Sequence, residues 1–348
     1  MEQLVSGWVA QPRFRTVIPL MFAAAPMVIS FAEGGAMGVP RRVTFVVLAA
    51  LGMAGVSVSR SGVHAQAQRD MLAWAPMPTE PSKWISPNRP HWKLSELLAK
   101  HKGEPNWTES VVNDATLRAE NISMAPGAKT PRRLHPDTRA WWIVQDGQIR
   151  FTIDGQEPFV AKKGFLVQVP YRNIYSMETV GDTPSLRLEV NIGGATTMYP
   201  ADEKPVSLPG FDFVKVRIGG KGSYDTRNKP YVDFTAVAAG TDPTRRFIAD
   251  DRAVANIIRG KPQQPGPNDK GHFHLESSEF WFILEGQIRY RIGSLPVFLA
   301  DQGDIVYVPK QTWHLASHGP TPMSTRLAMN GYQDLLHNWE PTEEQTRR

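Results

Sequence analysis

The strongest constraint on this chain is that part of it occurs twice. Shifted by 139 residues, positions 127–175 fall on 266–314 without a gap, with 14 identities in 49 positions. Trp142 meets Trp281, and Gly147-Gln148-Ile149-Arg150 meets Gly286-Gln287-Ile288-Arg289. Phe159, Gly164 and Val169-Pro170 meet Phe298, Gly303 and Val308-Pro309. One long unit present twice predicts two copies of one domain, because small stacked repeats need three or more copies to share a core.

Each copy is patterned for strands. Residues 287–292 alternate strictly, with Ile288, Tyr290 and Ile292 on one face, and Ile149, Phe151 and Ile153 repeat this in the first copy. Gly147 and Gly286 fall where one strand gives way to the next, which predicts hairpin turns of positive φ. Half-buried strands that close on themselves enclose an apolar interior. The expected fold is therefore all-β: two tandem antiparallel β-barrels, each a double-stranded β-helix or jelly roll. Helix is expected only over residues 94–101 and 332–339. Residues 68–110, rich in Pro and Trp, are read as an N-terminal arm wrapping the first barrel. The first barrel spans 111–200, a linker with some strands such as 231–237 spans 201–250, the second barrel spans 251–330, and 331–348 form a tail.

Composition excludes several classes of function. Hydrophobic residues at 41% and charged residues at 21% supply a core and rule out a disordered chain. With no cysteine there are no disulfides, thiolate metal sites or cysteine nucleophiles. The net charge is +5, but residues 1–67 hold five arginines against Glu2 and Glu33, leaving 34 basic against 32 acidic groups elsewhere. No basic block remains to follow a phosphate backbone, so nucleic acid is not an expected partner.

Part of that N-terminal excess belongs to a leader. Arg41-Arg42, an apolar run over 43–58 and Ala65-Gln66-Ala67 follow the order of an export signal, over residues 37–67, cut after Ala67. The paired arginines leave both the general and the twin-arginine routes open, and translation starts at Met1 or Met37. The apolar run is shorter than the ~20 residues of a spanning helix, although an uncleaved anchor is the alternative. The expected product is periplasmic or secreted, with no stable membrane association after processing.

His272 and His274 stand one residue apart, so on a strand both imidazoles project to one face. Glu279 follows five residues on, and His314 follows a strand-and-turn segment, 303–309. Three imidazoles and one carboxylate in an apolar barrel suit one divalent transition metal ion, Fe, Mn, Ni, Co, Cu or Zn. The spacing Gly266, His272-Phe273-His274, Glu279, Gly286 resembles the first motif of the cupin superfamily. Gly303, Pro309, His314 resembles the second, with Gln311 in place of the usual glycine and His318 where asparagine is frequent. The resemblance covers residues 110–200 and 250–330 and makes the chain similar to a bicupin. In the first copy Arg133, Ala140 and Tyr175 replace His272, Glu279 and His314, and only His135 matches His274. That barrel is expected to hold no metal, with Arg133 and His135 either structural or available to an anion.

Trp281 shares the parity of Glu279, Tyr290 lies on the next strand, and Trp313 precedes a ligand. These three rings either wall a substrate pocket or fill the core. Catalytic residues are not identifiable, and neither Glu276 nor Arg291 earns an acid or base role. The resemblance implies an exported metal-dependent enzyme, a mononuclear oxygenase of the dioxygenase kind or a lyase or decarboxylase, acting on a small organic substrate, aromatic ones included. The alternative is a non-catalytic periplasmic protein that binds an anion or sugar through its metal. Homo-oligomers are frequent in the family and are implied only by that analogy.

Overall fold

The computed structural model describes residues 71–332 and 335–346. The leader expectations fall on residues outside these. Among the described residues no helix is long and apolar enough to cross a membrane.

Each repeat folds as an antiparallel jelly roll of two sheets. In the first, the strands Ala140–Asp146, Ser185–Ile192, Leu117–Met124, Trp107–Asn113 and Phe165–Val169 share a six-stranded sheet, facing Phe159–Lys162, Gln148–Ile153 and Tyr175–Val180. In the second, Glu279–Glu285, Ser324–Gly331, Ala253–Gly260, Arg246–Ala249 and Ile305–Val308 lie in the large sheet. Opposite them run Phe298–Asp301, Gln287–Ile292, His314–His318 and His272–Phe273. The 139-residue shift persists in the register: Trp142 pairs with Val167 as Trp281 pairs with Val306, and Ile153 with Tyr175 as Ile292 with His314. It also runs past the segment legible by identity, since Ser185, Arg187, Leu188 and Asn191 correspond to Ser324, Arg326, Leu327 and Asn330.

Burial explains why the central strands read as continuous apolar runs. Trp142, Val144, Ile149 and Phe151 fill the first barrel, and Trp281, Ile283, Ile288 and Tyr290 the second. The intervening residues Trp141, Ile143, Phe280 and Phe282 belong to one further cluster made by both repeats. The two large sheets therefore bury both faces, one against their own barrel and one against the other repeat.

Four local expectations are corrected. Gly147 and Gly286 do have positive φ, 67° and 64°, but the strands they join belong to different sheets, so they are corners and not hairpins. A Cβ there would meet Pro184 O at 2.6 Å or Met323 O at 2.4 Å, so close backbone approach also demands glycine. The N-terminal arm is not confined to the first barrel: Asn88 exchanges two hydrogen bonds with Asn113 there, but His91–Trp92 pairs with Ile305–Val308 of the second, His91 bonds Asp304 at 2.7 Å, and Trp84 Nε1 donates to Tyr307 O. That edge needed a partner, and the first barrel's matching edge receives Tyr231–Asp233 from the linker. The strand expected over 231–237 stops there, because Asp233 accepts from Thr235 N and caps the helix Phe234–Ala238. Finally, described residues 335–339 are not helical; Asn338–Trp339 adds a strand beside His272–Phe273. The helix expected at 94–101 is present as Leu94–Lys100.

Candidate metal centre

His272 lies on a two-residue strand paired directly with His314, and His274 follows it. Glu279 opens the neighbouring Glu279–Glu285 strand, whose parity turns it inward with Trp281. One donor atom from each of the four residues falls within 4.8 Å of all the others. Ligands about 2.0–2.3 Å from one ion span almost that width, so small side-chain adjustments close the site. His274, Glu279 and His314 are buried, and His272 is half-buried.

The hydrogen bonds around the cluster show that it fits a cation. His314 Nδ1 donates to Thr312 O at 2.8 Å, and His274 Nδ1 donates to Leu336 O at 3.1 Å. Both imidazoles therefore keep a proton outside and turn an Nε2 lone pair inward, the orientation metal-binding histidines take. His314 Nε2 stands 3.1 Å from His272 Nε2 and 3.2 Å from Glu279 Oε2, and His274 Nε2 stands 3.1 Å from the same oxygen. The Nε2 lone pairs of His274 and His314 thus face the Glu279 carboxylate, and only a shared cation or added protons make those two contacts attractive. Burial, followed by the proximity of His314, pushes the His272 pKa down to about 3. Burial also acts against a charged His274, but the Glu279 carboxylate outweighs it and raises that pKa. Burial would raise the Glu279 pKa, yet His274 and His314 hold it well below the carboxylate range.

The aromatic candidates divide. Trp281 packs edge-on to His314 with ring centres 5.4 Å apart, and Tyr290 lies against Trp281 at 5.1 Å, inside the barrel. Trp313 is not brought to the site; it packs on Phe273 at 4.8 Å, since both alternate with the ligand-bearing residues. Two tail residues take its place at the mouth. His337 lies 4.6 Å from the His272 ring and 4.8 Å from His274, and Trp339 lies 4.6 Å from His272. Sequence reasoning missed them because neither belongs to the repeat. Gln311 has φ 60°, and so has Arg172 at the matching position of the first barrel; each donates its N–H to the carbonyl of His274 or His135. His318 Nδ1 meets Ser324 Oγ at 2.8 Å and its ring occupies the space a Cβ at Gly260 would need, a packing role.

In the first barrel the same positions form a closed polar network. Arg133 Nη2 donates to both oxygens of Glu189, at 2.7 and 2.9 Å, and its Nε donates to Tyr175 Oη at 3.0 Å. His135 Nε2 meets the same hydroxyl at 3.0 Å and its Nδ1 donates to Thr196 O. Among the described residues, only the second barrel gathers three or more groups able to hold a metal.

Two jelly rolls back to back, one with a three-histidine, one-carboxylate cluster, define a two-barrel protein with a single metal-type centre. A family model described as "Cupin domain" matches residues 121–192 and 263–327, one match in each barrel, so the chain carries two cupin domains. No curated protein matches it. Among solved structures it is similar to a variant of salicylate 1,2-dioxygenase from Pseudoaminobacter salicylatoxidans in complex with gentisate. That likeness has TM-score 0.54 and 13% identity over 76% of this chain and 89% of that one. A second variant of the enzyme gives 0.52 and 16% identity, covering 74% and 86%. Such identities show a shared fold alone.

Proposed function

We propose that this protein is an exported, metal-dependent bicupin enzyme, a mononuclear oxygenase of the dioxygenase kind acting on a small organic substrate. The observation that carries this is the one-sided opening of the His272, His274, Glu279 and His314 cluster. Structural metal sites are closed by protein on all sides, whereas catalytic ones keep positions free. Here three ligands are buried, but His272 borders His337 and Trp339, both exposed. A divalent ion held by the four residues would supply Lewis acidity and, if redox-active, a path for electrons to oxygen.

The chain's own groups have separable tasks. Thr312 O and Leu336 O fix the orientation of His314 and His274. Trp281 and Tyr290 line the interior and exclude water, while His337 and Trp339 flank the entrance. The fold likeness to a salicylate 1,2-dioxygenase is compatible with an oxygenase and does not by itself choose among cupin chemistries, so the choice falls to experiment. Oxygen uptake by metal-loaded protein, offered a panel of phenols and phenolic acids, tests the proposal. Uptake that depends on metal and vanishes in His272→Ala supports it. Carbon dioxide release without oxygen uptake would assign a decarboxylase instead, and a loaded protein that binds but converts nothing would be a binding protein.

A further inference from the structure

The two barrels treat one interior position in opposite ways. Val144 pairs with Arg187 and Trp142 with Glu189 in the first; Ile283 pairs with Arg326 and Trp281 with Ala328 in the second. Directly paired residues share a sheet face, and Trp142, Val144, Trp281 and Ile283 all belong to the barrel interiors. Arg187, Glu189, Arg326 and Ala328 therefore start from inward-facing positions. In the first barrel Glu189 serves two guanidiniums, bonding Arg133 and standing 3.5 Å from Arg187 Nε.

In the second barrel the arginine is kept and the carboxylate is gone. Arg326 makes no ion pair among the described residues, and its Nε and Nη1 are buried without a hydrogen-bond partner. Glu279, the carboxylate in that interior, is engaged by His274 and His314. Tyr290 stands where the first barrel has Phe151, and its buried hydroxyl also lacks a partner. Burial raises the Tyr290 pKa, so the hydroxyl remains a donor. A guanidinium stays charged in a protein, and shielding two of its nitrogens from water without a partner is unfavourable unless something outside the chain pairs with them. Three donors without acceptors, on the face where Ala328 replaces the glutamate of the first barrel, ask for an anion.

We propose that the second barrel binds a small carboxylate, whose carboxylate group takes the place that Glu189's own carboxylate has in the first barrel, held by Arg326 and Tyr290. Glu189 also touches Arg133, the counterpart of His272. A ligand anchored in this way would extend from Arg326 towards His272 and the mouth. The inference names a substrate class for the site proposed above and rests on the second barrel being a small-molecule site.

Calorimetric titration of the zinc-loaded chain with acetate and benzoate tests it, with acetamide and benzamide as uncharged controls and zinc content measured in parallel. Wild type should bind at least one acid and neither amide. Arg326→Met should weaken acid binding by at least about tenfold, as expected for a lost charge-assisted pair, with zinc content unchanged. Ala328→Glu should place an anion beside Arg326 and abolish acid binding while keeping the fold and the zinc; it remains informative if Arg326→Met does not fold. Amides binding as well as acids, no acid binding by wild type, or acid binding unchanged in Ala328→Glu would overturn the proposal. Arg326-dependent acid binding in a chain that takes up no zinc would support it while refuting the metal reading.

Discussion

The first and second barrels are one framework with two interiors. Their sheets superpose in register, their corners use the same glycines, and both bury a tryptophan at the same rung, Trp142 or Trp281. What differs is a handful of inward polar positions: Arg133, Ala140, Tyr175 and Glu189 in one, His272, Glu279, His314 and Ala328 in the other. The first set satisfies itself, with arginine, tyrosine and glutamate closed into a network. The second leaves imidazole lone pairs facing a carboxylate and, among the described residues, a guanidinium without an anion. Apolar packing stabilises both barrels, so the polar interior is free to be structural in one and open in the other.

The sharpest way to break this comparison is metal content. Wild type should carry one ion per chain by elemental analysis, and His272→Ala or His314→Ala should lose it. His135→Ala should keep it, because Arg133, Ala140 and Tyr175 complete no site. Two ions per chain would mean that the barrels are alike after all.

The next effect is on stability. Glu189→Gln leaves Arg133 and Arg187 without their anion, and should destabilise the fold by about 3–5 kcal/mol in denaturant titrations. An unchanged midpoint would remove the first barrel's network from the structural account. The pH dependence sharpens the same point. Burial raises the Glu189 pKa, but Arg133 and then Arg187 outweigh it and bring it from 4.5 down to about 2. A carboxylate lowered in this way contributes stability above the unfolded value, about 3 kcal/mol by linkage, which is lost as pH falls from 4.5 towards 2. Wild type should lose that increment over this window and Glu189→Gln should not, as measured by unfolding at stepped pH. A parallel loss in both would assign the acid sensitivity elsewhere.

The smallest effect compares two residues in one left-handed conformation. Gln311→Gly relieves positive φ and should stabilise by about 0.5 kcal/mol after glycine's entropic disadvantage. Arg172→Gly relieves the same strain but removes hydrogen bonds to Pro136 O and Gly219 O and the ion pair with Asp137, so its sign should be opposite. Thermal melts of the two variants check both signs. Separately, N-terminal sequencing of the exported product should find Gln68 first.

Much of the site was legible because its ligands lie on regular strands within the repeat. His272 and His274 share a face by period two, and the 139-residue shift exposes which positions changed from Arg133, Ala140 and Tyr175. For Trp313 the sequence leaves a pocket wall and core packing both open, and the structure puts its ring on Phe273, because strand alternation sends the neighbours of His314 to the opposite face. His337, Trp339 and Arg326 gave no local signal. The first two reach the site by a tail strand pairing, and Arg326 is conspicuous only once Glu189 is seen against Ala328 in the matched register.

The sequence by itself determined the all-β architecture, its duplication and the asymmetry of the two interiors, because alternation and spacing act over a few residues and repeat visibly. Only the tertiary structure decided that the arm reaches the second barrel, that the large sheets pack back to back, and that Arg326 pairs with no anion among the described residues. Those outcomes depend on pairings between residues as far apart as His91 and Val306, where many partners satisfy the same local pattern and edge pairing and burial select one.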